Sequence, residues 1–277
     1  MMLSLKREMA TVNNTSPIFK WAGGKRWLVS KYRDLFPSTY SRLIEPFAGG
    51  AAVFFALKPE RAWLNDVNTD LINAYQVISH SWEAVLSLLV KYQKKHSPEF
   101  YYDVRSSRPR TDLMKAVRFI YLNRTCFNGL YRVNLKGEFN VPMGSKTSVL
   151  LPEDNFELVG QRLKSARFTS EDFENVINQA GVGDFVFADP PYTVRHNNNG
   201  FIKYNENLFS WADQVRLRDA VFRAKKRGAV VLVSNADHEC LHELYSGSDR
   251  CVSVERRSVM AASSMNRKQT TELLINI

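Results

Sequence analysis

A carboxylate, two prolines and an aromatic ring follow one another at the end of an apolar segment. Asp189-Pro190-Pro191-Tyr192 comes directly after the run Asp184–Ala188. The prolines cannot continue a β-ladder, so they fix the backbone around the carboxylate and the ring. A carboxylate and a proline carbonyl accept hydrogen bonds from an exocyclic amino group, and a tyrosine ring stacks on a flat ring system. The motif predicts a site for a planar, amine-bearing ring, and a turn with a capping aspartate is the simpler alternative.

A second candidate ligand site is a turn that contains two glycines. Phe47-Ala48-Gly49-Gly50-Ala51 follows a predicted strand and opens a predicted helix, so a ligand can approach its backbone at the helix N-terminus. Asp66 ends the next predicted strand, where doubly wound folds place an acid that holds a ribose hydroxyl pair. The glycine spacing of a dinucleotide site and the Gly-Lys-Ser/Thr of a phosphate loop are both missing. A tight turn and a helix-capping aspartate explain these residues equally well.

A parallel sheet is needed to bring these side chains together. Strands are predicted at 42–46, 61–65, 184–188, 229–234 and 272–277, and helices at 51–57, 156–166 and 211–226. Strands that alternate with helices indicate an α/β fold with an open, mostly parallel sheet covered on both faces. Such sheets bind ligands at the carboxyl ends of their strands, where Asp66 and Asp189 are placed.

An insertion interrupts the alternation of strands and helices. Positions 71–90 and 114–122 have helical apolar spacing, and 130–141 has the turn pairs of a hairpin. We therefore divide the chain into a flexible tail, an interrupted catalytic domain and a mainly helical insertion. These parts span 1–17, then 18–69 with 150–277, and finally 70–149.

The insertion contains side chains suited to reading bases in the major groove. They are Arg124, Asn128, Arg132 and Asn134, which lie among predicted tight turns. Tyr131 and Phe127 are candidates to wedge into a base stack. The alternatives are that Arg124 ends a helix and that Phe127 belongs to the core.

Composition favours a nucleic-acid partner and excludes several other classes. The formal net charge is +10 and the pI is about 9.5, which attracts anions without naming one. Apolar runs are far shorter than the roughly 20 residues of a membrane span, and the first residues lack a secretory signal. The three cysteines never form C-x-x-C, which is typical of reduced thiols. We expect a cytoplasmic protein without a membrane anchor.

One segment matches a zinc-binding sequence motif. His238-Glu239-Cys240-Leu241-His242 matches H-E-x-x-H, but it directly follows a predicted strand, and no histidine comes after it to be a third ligand. Asp237 is placed to cap the helix that starts there, so we predict no metal site. His196 is a candidate base near Asp189, although a solvated loop histidine is the preferred interpretation.

Six segments, in the same order, resemble the DNA adenine methylase (Dam) family, the D12 class of N6-adenine DNA methyltransferases. They are Phe19-Lys20-Trp21-Ala22-Gly23-Gly24-Lys25, Glu45-Pro46-Phe47-Ala48-Gly49-Gly50, Tyr121-Leu122-Asn123-Arg124, Phe127-Asn128-Gly129-Leu130-Tyr131-Arg132, Gly137-Glu138-Phe139-Asn140-Val141-Pro142 and Asp189-Pro190-Pro191-Tyr192. The resemblance runs from about position 19 to the end, with one departure at Ala51, where many relatives have a third glycine. It implies a Rossmann-like, S-adenosylmethionine-dependent methyltransferase sheet with an inserted, mainly helical target-recognition domain.

The resemblance also implies roles for single residues. A methyl group would pass from S-adenosylmethionine to N6 of an adenine flipped out of double-stranded DNA, at a GATC site. The predicted catalytic residues are Asp189, Pro190, Pro191 and Tyr192. The predicted cofactor-binding residues are Trp21, Lys25, Phe47, Gly49, Asp66, Asp172, Phe173 and Asp189. Lys20, Leu130, Arg132 and Pro142 join Arg124, Asn128, Tyr131 and Asn134 as predicted DNA contacts.

Two alternatives stay open at this point. D-P-P-Y-like motifs also serve methyltransferases that act on RNA or on a protein amide. A DNA-binding module with a decayed methylase site is the other alternative, and the joint presence of Trp21, Lys25, Asp66 and Asp189 speaks against it.

Overall fold

A twisted sheet at the centre of the molecule positions the predicted site. A computed structural model describes residues 16–21, 23–134, 136–194, 209–257 and 269–277, and within them seven strands form one sheet. The strands are β1 (Arg42–Glu45), β2 (Ala62–Asn65), β3 (Ala166–Thr169), β4 (Asp184–Ala188), β5 (Val230–Ala236), β6 (Arg250–Arg257) and β7 (Gln269–Asn276). Their order is β3-β2-β1-β4-β5-β7-β6. Successive strands are therefore added on one side of β1 up to β3 and on its other side from β4 onward, so the strand order reverses between β1 and β4.

Strand direction divides the sheet into two parts. Strands β1 to β5 are mutually parallel, whereas β7 runs antiparallel to β5 and β6 antiparallel to β7. The predicted α/β class and Rossmann-like, mostly parallel sheet are confirmed. Prediction was wrong at β3, because the helix expected over 156–166 ends at Leu163 and the strand starts three residues later. This short edge strand has no fully buried residue, so it lacks the apolar run that marks β4.

Most of the described helices begin at a residue whose side chain accepts a hydrogen bond from the first backbone N–H groups. The helices are α1 (Arg26–Lys31), α2 (Ala52–Leu57), α3 (Thr69–Lys95), α4 (Pro98–Ser106), α5 (Asp112–Thr125), α6 (Phe156–Leu163), α7 (Phe173–Ile177), α8 (Trp211–Lys226) and α9 (Glu239–Leu244). Asn68, Ser97 and Thr111 each accept a hydrogen bond from the first turn of α3, α4 and α5. At α8, Ser210 and Asp213 form a reciprocal capping box. Helices α1 and α2 are the exceptions.

Two apolar cores cover the two faces of the sheet. Successive strand residues point to opposite faces, so Leu43, Phe185 and Phe187 belong to one core and Ile44 and Val186 to the other. Helices α1 to α6 supply residues to the first core, and α7 to α9 supply residues to the second. This double burial explains the nearly continuous apolar sequence of β4.

The helical insertion shares the first core. Leu71 and Ile78 of α3 and Ile120 of α5 are completely buried in the same cluster as Leu43 of β1. In the predicted hairpin, an isolated antiparallel bridge joins Val133 to Phe139. The described residues of this segment therefore form a loop that contains one β-bridge and no β-strand. The division between catalytic domain and insertion stays a prediction, since one continuous core spans both.

Some predicted features fall outside the described residues. These include most of the tail at 1–17 and the loop that contains His196. Within the described residues, no helix is long and apolar enough to cross a membrane.

Candidate active site

A cavity of about 1260 Å³ opens at the carboxyl ends of β1, β2 and β4. This is the edge of the sheet where the strand order reverses, the place where open α/β sheets bind ligands. The structure brings most of the predicted site residues to its wall. They are Lys20, Trp21, Lys25, Phe47, Gly49, Asp66, Asn128, Leu130, Tyr131, Asp172, Phe173, Asp189, Pro190, Pro191 and Tyr192. Arg124, Arg132, Asn134 and Pro142 are not part of the wall.

The glycine turn after β1 is held by the acid after β2. Asp66 Oδ2 accepts a hydrogen bond from the Gly49 N–H at 2.9 Å, and its Oδ1 accepts one from the Asn68 N–H at 2.9 Å. The Tyr75 hydroxyl donates to the Gly49 carbonyl at 2.8 Å. Burial raises the pKa of Asp66, and the two N–H donors oppose that shift. Each carboxylate oxygen has a further lone pair, so Asp66 can also accept from a ligand hydroxyl.

Trp21 lies directly on this turn. Gly49 has φ +46°, and a Cβ added to it would come within 2.6 Å of Trp21 Cδ1, so only glycine fits beneath the ring. Ala51, the departure from the family pattern, also has a left-handed backbone, with φ +50°. A glycine at this position would adopt that conformation without strain.

Three phenylalanines line another part of the wall. The rings of Phe47, Phe173 and Phe209 lie 5.2 to 5.5 Å apart. Asp172 accepts a hydrogen bond from the first turn of α7 and forms an ion pair with Arg216 at 2.8 Å. The Asp172 carboxylate therefore orients α7, while the neighbouring ring of Phe173 faces the cavity.

The D-P-P-Y segment joins a buried polar cluster. Lys25 Nζ lies 3.1 Å from Asp189 Oδ1 and donates to the Tyr192 hydroxyl at 2.8 Å. The Tyr192 hydroxyl also shares a hydrogen bond with Ser234 at 2.9 Å, so the ring is held at its outer end. Burial raises the pKa of Asp189, and the Lys25 ammonium opposes that shift.

The predicted DNA contacts divide into two groups. Lys20, Asn128 and Leu130 lie at the cavity, and Asn123 fixes this region by exchanging two hydrogen bonds with the Lys20 backbone. Burial, together with the nearby Lys146, lowers the pKa of Lys20 to about 8. Arg132, Asn134 and Pro142 lie outside the cavity wall, and Arg132 donates to Asn140.

The prediction for Arg124 is corrected by the structure. Its side chain is 2% exposed, forms an ion pair with Asp154, and donates to the carbonyls of Val149 and Ile18. The guanidinium thus ties α5 to two distant segments and cannot reach a base in this arrangement. The alternative that Arg124 is structural is the better interpretation.

The two aromatic candidates for wedging into a base stack lie in different environments. Tyr131 stacks on Trp21 at a centroid distance of 6.0 Å and donates to Asp70, so its ring is part of the wall. Phe127 is 51% exposed, which makes it the freer of the two rings for contact with DNA.

Comparison with known proteins identifies the family. Residues 21–260 match the D12 class of N6 adenine-specific DNA methyltransferases. The chain belongs to this class. It is 38% identical over 271 residues to the Type II methyltransferase M1.LlaDCHI of Lactococcus lactis subsp. cremoris, covering 95% of both chains. It is 33% identical over 260 residues to a DNA adenine methylase of Vibrio cholerae, covering 92% of this chain and 93% of that one. With the Type II methyltransferase M.MjaIII of Methanocaldococcus jannaschii it shares 32% identity over 282 residues, covering 94% and 98%.

Membership of the D12 class confirms that this protein is an adenine-specific DNA methyltransferase. The alternatives of an RNA or protein methyltransferase and of a decayed binding module are therefore not supported. The roles of the individual site residues, including those at the cavity wall, stay predictions.

Sequence reasoning gave no role to two acids of this D12-class methyltransferase. Glu45 ends β1 and is 3% exposed, and its Oε1 accepts from the Phe54 N–H at 2.7 Å. Burial raises the pKa of Glu45 to about 8. Glu272 of β7 lies 3.2 Å from Lys25 Nζ. Glu45 stands inside a family motif, which is a signal that could have drawn attention to it, whereas the isolated Glu272 offered none.

The H-E-x-x-H segment of the methyltransferase has a structural explanation. His238 caps α9 by accepting from the Cys240 N–H at 3.3 Å, and His242 Nε2 lies 2.8 Å from Asp237. The predicted cap at Asp237 was thus one residue early. Within the described ranges, no group of three or more metal-ligating side chains occurs.

Proposed function

We propose that this D12-class enzyme transfers the methyl group of S-adenosylmethionine to N6 of an adenine flipped out of duplex DNA, with GATC as its target. One observation carries the proposal: Asp189-Pro190-Pro191-Tyr192 lines the same cavity as the Gly49 turn and Asp66. A site for an amine-bearing ring and a site for a nucleoside therefore lie in the same cavity.

The residues at this cavity fit the proposed methyl donor. Its volume of about 1260 Å³ exceeds the range of about 300–1,000 Å³ usual for one small ligand, so a cofactor and a base can enter together. Asp66 suits a ribose, the Phe47 and Phe173 rings suit an adenine face, and Trp21 and Lys25 complete the site. S-adenosylmethionine, when bound, supplies an electrophilic methyl group.

The protein's own groups then orient the target. The Asp189 carboxylate and the Pro190 carbonyl accept hydrogen bonds from the adenine amino group, which fixes the direction of its lone pair. The amino nitrogen becomes positively charged as it gains the methyl group, and Asp189 offsets that charge until a proton is lost. Tyr192 offers its ring for stacking because Lys25 and Ser234 hold its hydroxyl. Catalysis is thus mainly the correct placement of two reactants.

The basic insertion supports duplex DNA as the substrate. Flipping a base costs a few kcal/mol, which contacts to the surrounding duplex must offset. Lys20, Asn128 and Leu130 stand at the cavity, and the exposed Phe127 lies beside them in the chain. The preference for GATC rests on the resemblance to the Dam family at Lys20, Leu130, Arg132 and Pro142.

Methylation-aware sequencing tests the proposal directly. Plasmid DNA is taken from cells that lack other adenine methylation and that make the native protein, Asp189→Ala or Asp249→Ala. We expect methylated GATC sites with the native protein, none with Asp189→Ala, and native levels with the control, since Asp249 is an exposed residue paired with Lys225. A different methylated motif contradicts only the GATC assignment.

Purified protein tests the donor and the chemical step. Asp189→Ala should still fold, as its circular dichroism spectrum would show, while transferring no tritiated methyl group to duplex DNA. Full activity of that variant would refute the catalytic assignment. Calorimetry with S-adenosylmethionine tests the cofactor, and absence of binding to the native protein would contradict it.

A further inference from the structure

One lysine is buried between two carboxylates that are far apart in the sequence. Lys25, immediately before α1, is 2% exposed. Its Nζ lies 3.1 Å from Asp189 Oδ1, which follows β4, and 3.2 Å from Glu272 Oε2 on β7. The Glu272 side chain is 3% exposed, so water screens this ion pair little.

Three oxygen atoms surround the ammonium group of the lysine. An ammonium group has three N–H donors. Lys25 has three oxygen neighbours, the third being the Tyr192 hydroxyl at 2.8 Å. Its position is therefore fixed by two separate segments of the chain, the D-P-P-Y segment and β7, and its single positive charge is divided between two acids.

We propose that Glu272 is a positioning residue for methyl transfer: by sharing the Lys25 ammonium with Asp189, it leaves the Asp189 carboxylate enough negative charge to bind the adenine amino group. The inference rests on the proposed role of Asp189. If Lys25 faced Asp189 alone, its ammonium would neutralise that carboxylate more completely, and the developing positive charge on the substrate would be less stabilised.

The charges around Asp189 agree with this division. The groups that face it are Lys25, Glu272, Tyr192 and, from the end of β1, Glu45. Burial is the largest cause of the raised pKa of Asp189, Lys25 lowers that pKa, and Glu272 raises it. Removal of the Glu272 charge should therefore lower the pKa of Asp189.

The substitution Glu272→Gln removes the charge and keeps the shape of the side chain. We expect kcat to fall roughly tenfold to a hundredfold, the range that small misplacement of reacting groups produces, while KM for DNA stays near its native value. The acid limb of the kcat profile should move to lower pH. Glu272→Asp should restore part of the rate, because it keeps the charge on a shorter side chain.

Carbon-13 NMR of labelled aspartate carboxyls measures the effect without turnover. The pKa of the Asp189 carboxyl group is measured by pH titration in the native protein, in Glu272→Gln and in Glu243→Gln. Glu243 is an exposed acid on α9 that forms no ion pair within the described residues, so it is a matched control. The proposal expects a lower Asp189 pKa in Glu272→Gln alone.

Two results would overturn the inference. In one, the pKa of Asp189 and the kcat are both unchanged in Glu272→Gln. Only the melting temperature of that variant falls, as expected of a purely structural ion pair. The other applies if Glu272→Gln does not fold: the pKa of Asp189 is then unchanged in Glu272→Ala, a second variant that removes the charge.

Native methyl transfer is measured in parallel to separate the two proposals. If the native protein transfers no methyl group but the pKa of Asp189 moves as expected, the proposed function fails, while the charge coupling of Glu272 to Asp189 through Lys25 holds. Native transfer with an unchanged Asp189 pKa contradicts the inference about Glu272 alone.

Discussion

At the scale of single residues, the cavity depends on Gly49 having no side chain. Its backbone has φ +46°, and the Trp21 ring covers the place that a Cβ would take. A left-handed alanine costs about 1–2 kcal/mol even without a clash. Both the turn and the ring that lies on it thus require a glycine here.

The substitution Gly49→Ala should reduce stability by more than this cost and weaken binding of S-adenosylmethionine, because Trp21 must move. Gly137→Ala is the control, since Gly137 has φ +74° but no atom within 4 Å of an added Cβ. Urea unfolding and calorimetry measure the two effects. Equal losses of stability in both variants, with unchanged cofactor affinity, would contradict the contact with Trp21.

The buried carboxyl group of Glu45 makes the free energy of unfolding depend on pH. Its pKa is raised to about 8 in the folded protein by burial. Between the ordinary carboxyl range and pH 8, the folded state therefore holds a proton that the unfolded state has lost, so the Glu45 contribution to stability falls as pH rises through this window.

Glu45→Gln should remove this part of the pH dependence. Above pH 8 the variant should be more stable than the native protein by more than about 1 kcal/mol, since its amide oxygen can still accept from Phe54 and never ionises. Urea unfolding at pH 5.5, 7 and 8.5 provides the comparison. A difference between the two proteins that is constant with pH would show that Glu45 does not titrate in this window.

At the scale of elements, the end of α5 is fixed by a buried arginine. Arg124 joins Asp154, the Val149 carbonyl and the Ile18 carbonyl, so one side chain connects the insertion to both flanks of the catalytic part. Arg132, eight residues further along the chain, lies in the loop and donates a hydrogen bond to Asn140. Two arginines of one predicted DNA-binding set thus occupy different environments.

Arg124→Ala should cost about 3–5 kcal/mol of stability, because Asp154 would keep a poorly solvated, unpaired charge. Arg132→Ala should change stability by less than about 0.5 kcal/mol and weaken DNA binding instead. Urea unfolding and DNA titration separate the two. A stable Arg124→Ala protein with a changed methylation motif would restore Arg124 as a reader of bases.

At the scale of the whole molecule, the positive charge is concentrated near the proposed DNA side. Positions 70–149 contain twelve lysines and arginines against six acids, so more than half of the net charge of +10 lies there. Such charge binds phosphates and makes affinity depend on salt. Lys20 adds a pH dependence, because it is charged below its pKa of about 8 and neutral above it.

Affinity for a GATC duplex should therefore fall as pH rises through 8. Lys20→Gln should remove much of that fall and reduce the salt slope by about 1. Fluorescence anisotropy at pH 7 and 9 over a range of salt concentrations measures both, with Lys226→Gln, an exposed site at the end of α8, as control. An unchanged pH dependence in Lys20→Gln would place the titrating group elsewhere.

Features that depend on residues adjacent in the chain, such as strands and motifs, could be predicted without the structure. Apolar runs gave the strands β1 and β4, and the prolines after Asp189 marked where β4 ends. The order of the motifs was sufficient to indicate the D12 class, which the comparisons confirmed. These signals are local, so no three-dimensional information was needed to find them.

Which polar groups face one another depends on the folding of distant segments onto each other. This folding buried Arg124 against Asp154, placed Tyr131 beneath the site and left Phe127 exposed, and brought Glu272 to Lys25. Lys25 and Glu272 lie near opposite ends of the chain, and no local pattern connects them. They meet because Glu272 pairs with Ala236 at the carboxyl end of β5, beside the end of β4 that Asp189 follows, and a buried charge must find its partner there or remain unpaired.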